Sequence, residues 1–136
     1  IESDYSSDPI EISANDMLAL FEEAQADEDL CLNKDDLNKF IKLCDYVKEA
    51  FDINFGNRIM VQIENFVPVY VALGGTKEEA LDYMFARKIF RKLNGMFEDY
   101  IKDNLVALQK LIHSVYGKGV FKETEHLIEK NIKRLV

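Results

Sequence analysis

The sequence predicts an all-α domain, a single bundle of about six helices. Three observations carry that prediction. Apolar residues recur at three- and four-residue spacing through most of the chain. Helix-start residues precede several of these stretches, and glycines follow several of them. No run of useful length alternates apolar with polar residues, as a half-buried strand would, and no internal repeat is present.

The elements follow in order. The opening IESDYSSDP is short, polar and acidic, so residues 1–13 read as a linker or frayed end. Ile10-Glu11-Ile12 could form a brief extended piece, without an evident partner strand. The first helix, within SANDMLALFEEAQ, starts with cap residues Ser13 and Asn15 and places Met17, Leu20, Phe21 and Ala24 on one face. After ADEDLCLN, Asn33 caps the second helix, with Asp35 and Asp36 favourable in its first turn. That helix carries Leu37, Phe40, Ile41, Cys44, Val47 and Phe51 on its inward face. A third runs from about Asn57 to Leu73 and is apolar nearly all round, which marks it as central. Pro68 inside it should kink or break it, because the ring displaces the Glu64 carbonyl and no N–H is available.

Gly74-Gly75 ends that element, and Thr76 with Glu79 forms a capping box for the fourth. The fourth helix is expected to continue to Leu93 and stop at Asn94-Gly95. The fifth, near Glu98 to Tyr116, turns Ile101, Leu105, Leu108, Ile112 and Val115 inward. Gly117-Lys118-Gly119 breaks it, and a last helix near Lys122 to Leu135 presents Leu127, Ile128, Ile132 and Leu135. The helical domain is thus expected over residues 14–136.

The chain of 136 residues is long enough for one sizeable core. Its net charge of −8 is unevenly spread. Residues 1–52 hold 15 acids and 4 bases, whereas residues 53–136 hold 10 acids and 13 bases. An acidic domain is a poor general nucleic-acid binder, because phosphate contacts need clustered cations. No apolar run reaches the roughly 18 residues of a membrane span. There is no signal peptide and the first residue is Ile1, which fits a piece of a longer protein. Cys31 and Cys44 are too few and too far apart for a zinc site or a redox pair. Cys44 falls on an apolar helix face and reads as a core thiol, and a reducing cytoplasm fits this usage.

Four constellations could carry chemistry. Arg58 follows Gly56-Asn57 at the first turn of the apolar third helix. It is either a surface cation paired with an acid of the preceding helix, or a rigidly held fork of donors for phosphate beside a helix N-terminus. Arg87, Lys88, Arg91 and Lys92 would share one helical stripe near a C-terminal end. That stripe is either a solvated face that complements the dipole or a contact for phosphate or an acidic partner. Glu123-x-x-His126 has the spacing of bundle di-metal ligands, but such sites need a second copy and further carboxylates. His113 has Lys110 three residues before it, so no metal is expected and His126 reads as a surface residue. Glu22-Glu23 and Asp35-Asp36 read as solvated faces. No phosphate loop, Gly-rich dinucleotide turn or Ser-His-Asp set is present, so the chain carries no self-sufficient active site.

One family resemblance runs through these residues. DINFGNRIMVQIENFVPVY resembles the segment carrying the sensor-2 arginine in the helical lid of AAA+ ATPases. RKIFRKLNG is similar to a KILPKLHG-type signature in the lid of McrB-like AAA+ ATPases, the motor subunits of modification-dependent restriction systems. FKETEHLIEKNIKRL is similar to their final helix. The three pieces keep their order and cover roughly residues 33–136. Two positions depart from the pattern: Asn57 stands where an aromatic is usual, and Arg91 replaces the proline.

The resemblance implies a cytoplasmic C-terminal lid, inactive alone, that covers ATP or GTP with Mg bound by a large N-terminal domain of the same chain. Gly56, Asn57 and Arg58 would then sense the γ-phosphate. Arg87, Lys88, Arg91 and Lys92 would face a neighbouring ring subunit or the nucleotide, and a nuclease subunit is a further implied partner. The alternative is a helical protein-interaction module unrelated to nucleotide. Such a module needs a helix-lined groove and an exposed apolar patch. A lid deprived of its large domain also exposes apolar surface, but with Arg58 at its rim. In a module Arg58 can lie anywhere.

Overall fold

The computed structural model describes residues 14–93, 96 and 100–135. Six α-helices account for most of them: α1 (Ala14–Ala26), α2 (Lys34–Ala50), α3 (Asn57–Ala72), α4 (Lys77–Met84), α5 (Tyr100–Tyr116) and α6 (Lys122–Arg134). Among the described residues there is no strand. The expected Ile10–Ile12 extension, the Ser13 cap, the Asn94-Gly95 stop and the start near Glu98 lie outside the described residues.

The capping chemistry appears where the sequence places it. Asn33 accepts from the Asp36 N–H at 2.8 Å, and the Asp36 carboxylate accepts from the Asn33 N–H at 3.0 Å. Thr76 and Glu79 make the same reciprocal pair at the head of α4, both bonds at 3.0 Å. Asn15 is no cap: α1 already begins at Ala14, so Asn15 sits within its first turn.

The core forms where α2, α3, α4, α5 and α6 converge. Phe40, Leu43 and Val47 of α2 meet Ile63 and Val67 of α3, Leu81 of α4, Leu108 and Ile112 of α5, and Ile128 of α6, all nearly or fully enclosed. A chain of rings threads it: Phe40 meets Phe85 edge-on at 5.9 Å, Phe85 meets Phe121 at 6.4 Å, and Phe121 stacks on Tyr116 at 4.3 Å.

Three expectations are corrected. On α2, Ile41 is exposed and Leu43 is buried instead. Phe40, Leu43, Cys44 and Val47 stand at i, i+3, i+4 and i+7, and Ile41 is a full 100° step from Phe40. The fourth helix does not run as α-helix to Leu93. At Phe85–Ile89 it widens into a π-helical turn, with the Phe90 N–H donating to the Phe85 carbonyl, and Phe90–Leu93 then tightens into 3-10. A uniform α-helix would turn Ile89, Phe90 and Leu93 about half a turn away from buried Ala80, Leu81 and Met84, and the residue that the π turn adds brings the two sets toward one side. The third concerns one of the two outcomes expected at Pro68, a break: α3 continues past the proline to Ala72. Pro68 is buried against the core, while Glu64, whose carbonyl loses its partner, is exposed and within reach of water. Nor is α3 enclosed all round: Val61 and Leu73 are exposed, and Leu73 retains 81% of its surface.

Polar side chains fix α6. Its N-terminus has no local side-chain cap. Instead the buried carboxylate of Asp82, on α4, accepts from the Glu123 N–H at 2.9 Å, the Thr124 N–H at 2.8 Å and the Thr124 hydroxyl at 2.7 Å. One helix is thus capped by a carboxylate 41 residues earlier. In the same first turn, buried Glu125 accepts from the Gly119 N–H at 3.1 Å and meets His113 Nε2 at 3.1 Å.

Candidate functional site

The most unusual surface belongs to α1. The spacing puts Met17, Leu20, Phe21 and Ala24 on one face of α1, and Ala24 alone of this set is buried. Leu20 keeps 52% of its surface and its neighbour Leu18 keeps 57%. The reason is position: among the described residues α1 packs chiefly against α3, at the edge of the bundle. Gln25 donates to the Asn65 carbonyl at 3.2 Å, so the C-terminal end of α1 lies beside the middle of α3. Met17, Leu20 and Phe21 then line a groove with Val69, Ala72 and Leu73 at the far end of α3.

The groove has a volume of about 520 Å³, within the range of ligand clefts. Its walls are almost entirely aliphatic and aromatic, and the charged groups on it, Glu23 and Asp27, are both acidic. Asp27 is held by its own turn, accepting from the Asp29 N–H at 3.0 Å. Below it Cys31, half-buried, donates its thiol to the Gln25 carbonyl at 3.3 Å.

Arg58 lies elsewhere. It is exposed on the first turn of α3, beside exposed Gly56 and Asn57. Phe55, just before them, is buried and lies under the Lys48 ammonium at 4.6 Å, so the base of the turn is anchored. The expected surface ion pair to an acid of the preceding helix is absent among the described residues. Gly56 offers no side-chain cap, which leaves the first N–H groups of α3 open. Fifteen residues of helix separate Arg58 from Leu73, a distance of about 22 Å. Arg58 is therefore at the opposite end of α3 from the mouth of the groove.

The basic stripe divides. Arg87 pairs with Glu123 on α6 and lies over the Tyr83 ring at 3.9 Å, so it ties the π turn to its neighbours. Lys88, Arg91 and Lys92 are exposed, and the π-to-3-10 change redistributes them away from a straight α-helical row. Glu123 is taken up by Arg87, whereas His126 is exposed and His113 turns to Glu125. Among the described residues no three His, Cys, Asp or Glu side chains converge as a metal would require.

Two buried groups complete the chemistry. Burial pushes the Cys44 thiol up to about 12, far from a reactive thiolate. Burial likewise raises the Tyr116 phenol, whose buried hydroxyl has no partner among the described residues. Neither group opens on the groove. No helix among the described residues is long and apolar enough to cross a membrane.

Sequence reasoning missed the groove because helical spacing shows that α1 has an apolar face, not what covers it. It missed Asp82 because the donors that carboxylate serves lie in a distant helix. Comparison with known proteins yields a family match and nothing else: no curated protein and no solved structure matches the chain. The family model spans residues 11–136, nearly the whole chain. The chain therefore belongs to the family described as domain of unknown function DUF8727.

Proposed function

We propose that this domain is a helical protein-interaction module, with the groove between α1 and α3 as its docking surface. The observation that supports the reading is the exposure of Met17, Leu20, Phe21 and Leu73 side by side along one cleft. Scattered surface leucines need no explanation, but a contiguous apolar cleft does. Water on these groups is released when an apolar helix from a partner enters, at about 25 cal/mol per Å² buried. Parallel walls formed by two helices suit helix-in-groove recognition. The domain would act by binding, without chemistry of its own.

A direct test titrates a labelled amphipathic Leu/Gln helical peptide into the protein and reads fluorescence anisotropy. Saturable binding should weaken roughly tenfold or more, at least 1.4 kcal/mol, in the Leu20→Ser/Leu73→Ser variant. Both positions are exposed, so the variant should fold as the parent does. Equal affinity in the two proteins would remove the groove from the account.

A second reading keeps the lid of a McrB-like AAA+ ATPase, with Arg58 as its γ-phosphate sensor. Its support is the resemblance together with the exposed Arg58 guanidinium, which has no ion-pair partner among the described residues, on an anchored turn without a side-chain cap. The separation of Arg58 from the groove counts against it, since a lid would bring the two together. The sequence preceding Ile1 decides: this reading requires a phosphate loop followed by an acidic strand end within about 200 residues, the size of one αβ domain.

A further inference from the structure

We infer that the occupant of the groove is a basic amphipathic helix of another protein, with apolar side chains on one face and Lys or Arg along its flanks. This inference rests on the docking role proposed above and adds the chemistry of the partner. Charge complementarity carries it. Residues 14–33, which contain α1 and its following turn, hold six acids and no base. Two of those acids, Glu23 and Asp27, stand on the groove itself, and no cation lines it. An incoming helix therefore meets an apolar floor with an acidic edge along the α1 side. Flanking cations gain from that field, while flanking carboxylates are repelled.

The same charges argue against a second copy of this chain. A two-fold contact through the groove would bring the acidic α1 helices of both copies together. A head-to-tail contact would need the basic half of the chain to offer an apolar helix face. The apolar residues beside its basic stripe, Phe85, Ile89, Phe90 and Leu93, are buried in the core and are not available. Length also constrains the partner: α1 has 13 residues, so a helix of about three to four turns matches its extent.

The test uses the whole chain and three labelled peptides of about 14 residues with one leucine face, long enough to form a marginal helix. Their polar faces carry Lys, Gln or Glu. The expected order of affinity is Lys, then Gln, then Glu, with roughly tenfold between the extremes at low salt and a smaller gap at high salt. Glu23→Gln/Asp27→Asn should shrink the preference for Lys, whereas Asp45→Asn/Asp103→Asn, on exposed residues away from the groove, should not. Leu20→Ser/Leu73→Ser should weaken all three peptides.

Equal binding of the three peptides, lost in Leu20→Ser/Leu73→Ser, would overturn the basic partner while leaving the groove as a docking site. Lys-peptide binding that ignores both groove variants would reveal general attraction to an acidic protein and overturn the inference. Binding that emerges only after deletion of residues 1–13 would assign the groove to the chain's own N-terminal segment. A dimer that Leu20→Ser/Leu73→Ser dissolves would assign it to a second copy. Either result overturns the inference.

Discussion

Replacing Asp82 with alanine should be among the most damaging single changes that leave the hydrophobic core intact. Asp82 is buried and receives three hydrogen bonds from α6: the Glu123 and Thr124 N–H groups and the Thr124 hydroxyl, at 2.9, 2.8 and 2.7 Å. Its loss leaves the first turn of α6 without a cap, and Thr124 is fully buried, so water cannot readily replace the carboxylate. Lost N-caps cost about 1 kcal/mol at exposed helix ends. Burial and charge raise that figure, because each orphaned buried donor carries its own desolvation penalty of about 1 to 3 kcal/mol. A total near 3 kcal/mol is expected for Asp82→Ala.

Urea unfolding followed by far-UV circular dichroism reads it directly. With a slope of about 2 kcal/mol per M, the midpoint should fall by about 1.5 M. Asp82→Asn keeps one acceptor but turns an amide toward the other donor, and should lose about half as much. Thr124→Val removes the hydroxyl alone and should cost about 1 kcal/mol, coupled to Asp82 in a double-mutant cycle. The control, Asp103→Ala at an exposed site, should stay within about 0.5 kcal/mol. A midpoint shift below about 0.3 M for Asp82→Ala would refute the reasoning, since the cap would then contribute no more than a surface residue.

Other outcomes follow from the same geometry. Cys44 has a thiol raised to about 12 by burial, so the native state holds its proton after the unfolded chain has released it near pH 9. Its contribution is therefore complete below pH 9 and is lost as pH rises toward 12. The slope is at most about 1.4 kcal/mol per pH unit, and urea midpoints for Cys44→Ala should show a flatter alkaline limb. In thiol titration with an aromatic disulfide at neutral pH, Cys31 should react readily and Cys44 only after denaturation. Gly75→Ala should cost about 1 to 3 kcal/mol because a Cβ there would overlap the Tyr70 ring, whereas Gly74→Ala is strained only through its positive φ of 107° and should cost about 1 kcal/mol. Arg87→Ala removes an exposed ion pair and a stack on Tyr83, and thermal unfolding should report a loss of no more than about 1 kcal/mol.

Local chemistry was legible in the sequence where its partners are local. The Thr76–Glu79 capping box and the Asn33 cap form as the spacing requires, and Asp36, expected only to favour the first turn, returns a bond to the Asn33 N–H. The buried stripe of α5, from Ile101 through Leu105 and Leu108 to Ile112, repeats at helical spacing and is enclosed on schedule. What depends on tertiary arrangement was not legible. The Asp82 cap joins residues 41 apart, so no window of sequence contains both partners. The π turn brings Ile89, Phe90 and Leu93 toward the side that buries Ala80, Leu81 and Met84, and a segment rich in apolar residues does not show by itself where the pitch changes. The exposure of the α1 face was not legible for the same reason: an amphipathic pattern gives a buried face only when another element is there to bury it. Arg58 stood out as a lone cation before an apolar helix, and it is accessible, but its distance from the groove could not be read before the helices were placed.

Amide chemical-shift mapping during titration with the Lys-faced peptide tests the central claim most directly, because it locates the contact as well as detecting it. The account predicts saturable shifts concentrated at Met17 to Ala24 on α1 and Val69 to Leu73 on α3, with the first turn of α3 unmoved. Shifts gathered around Asn57 and Arg58, or spread over the surface with no cluster at the groove, would contradict it.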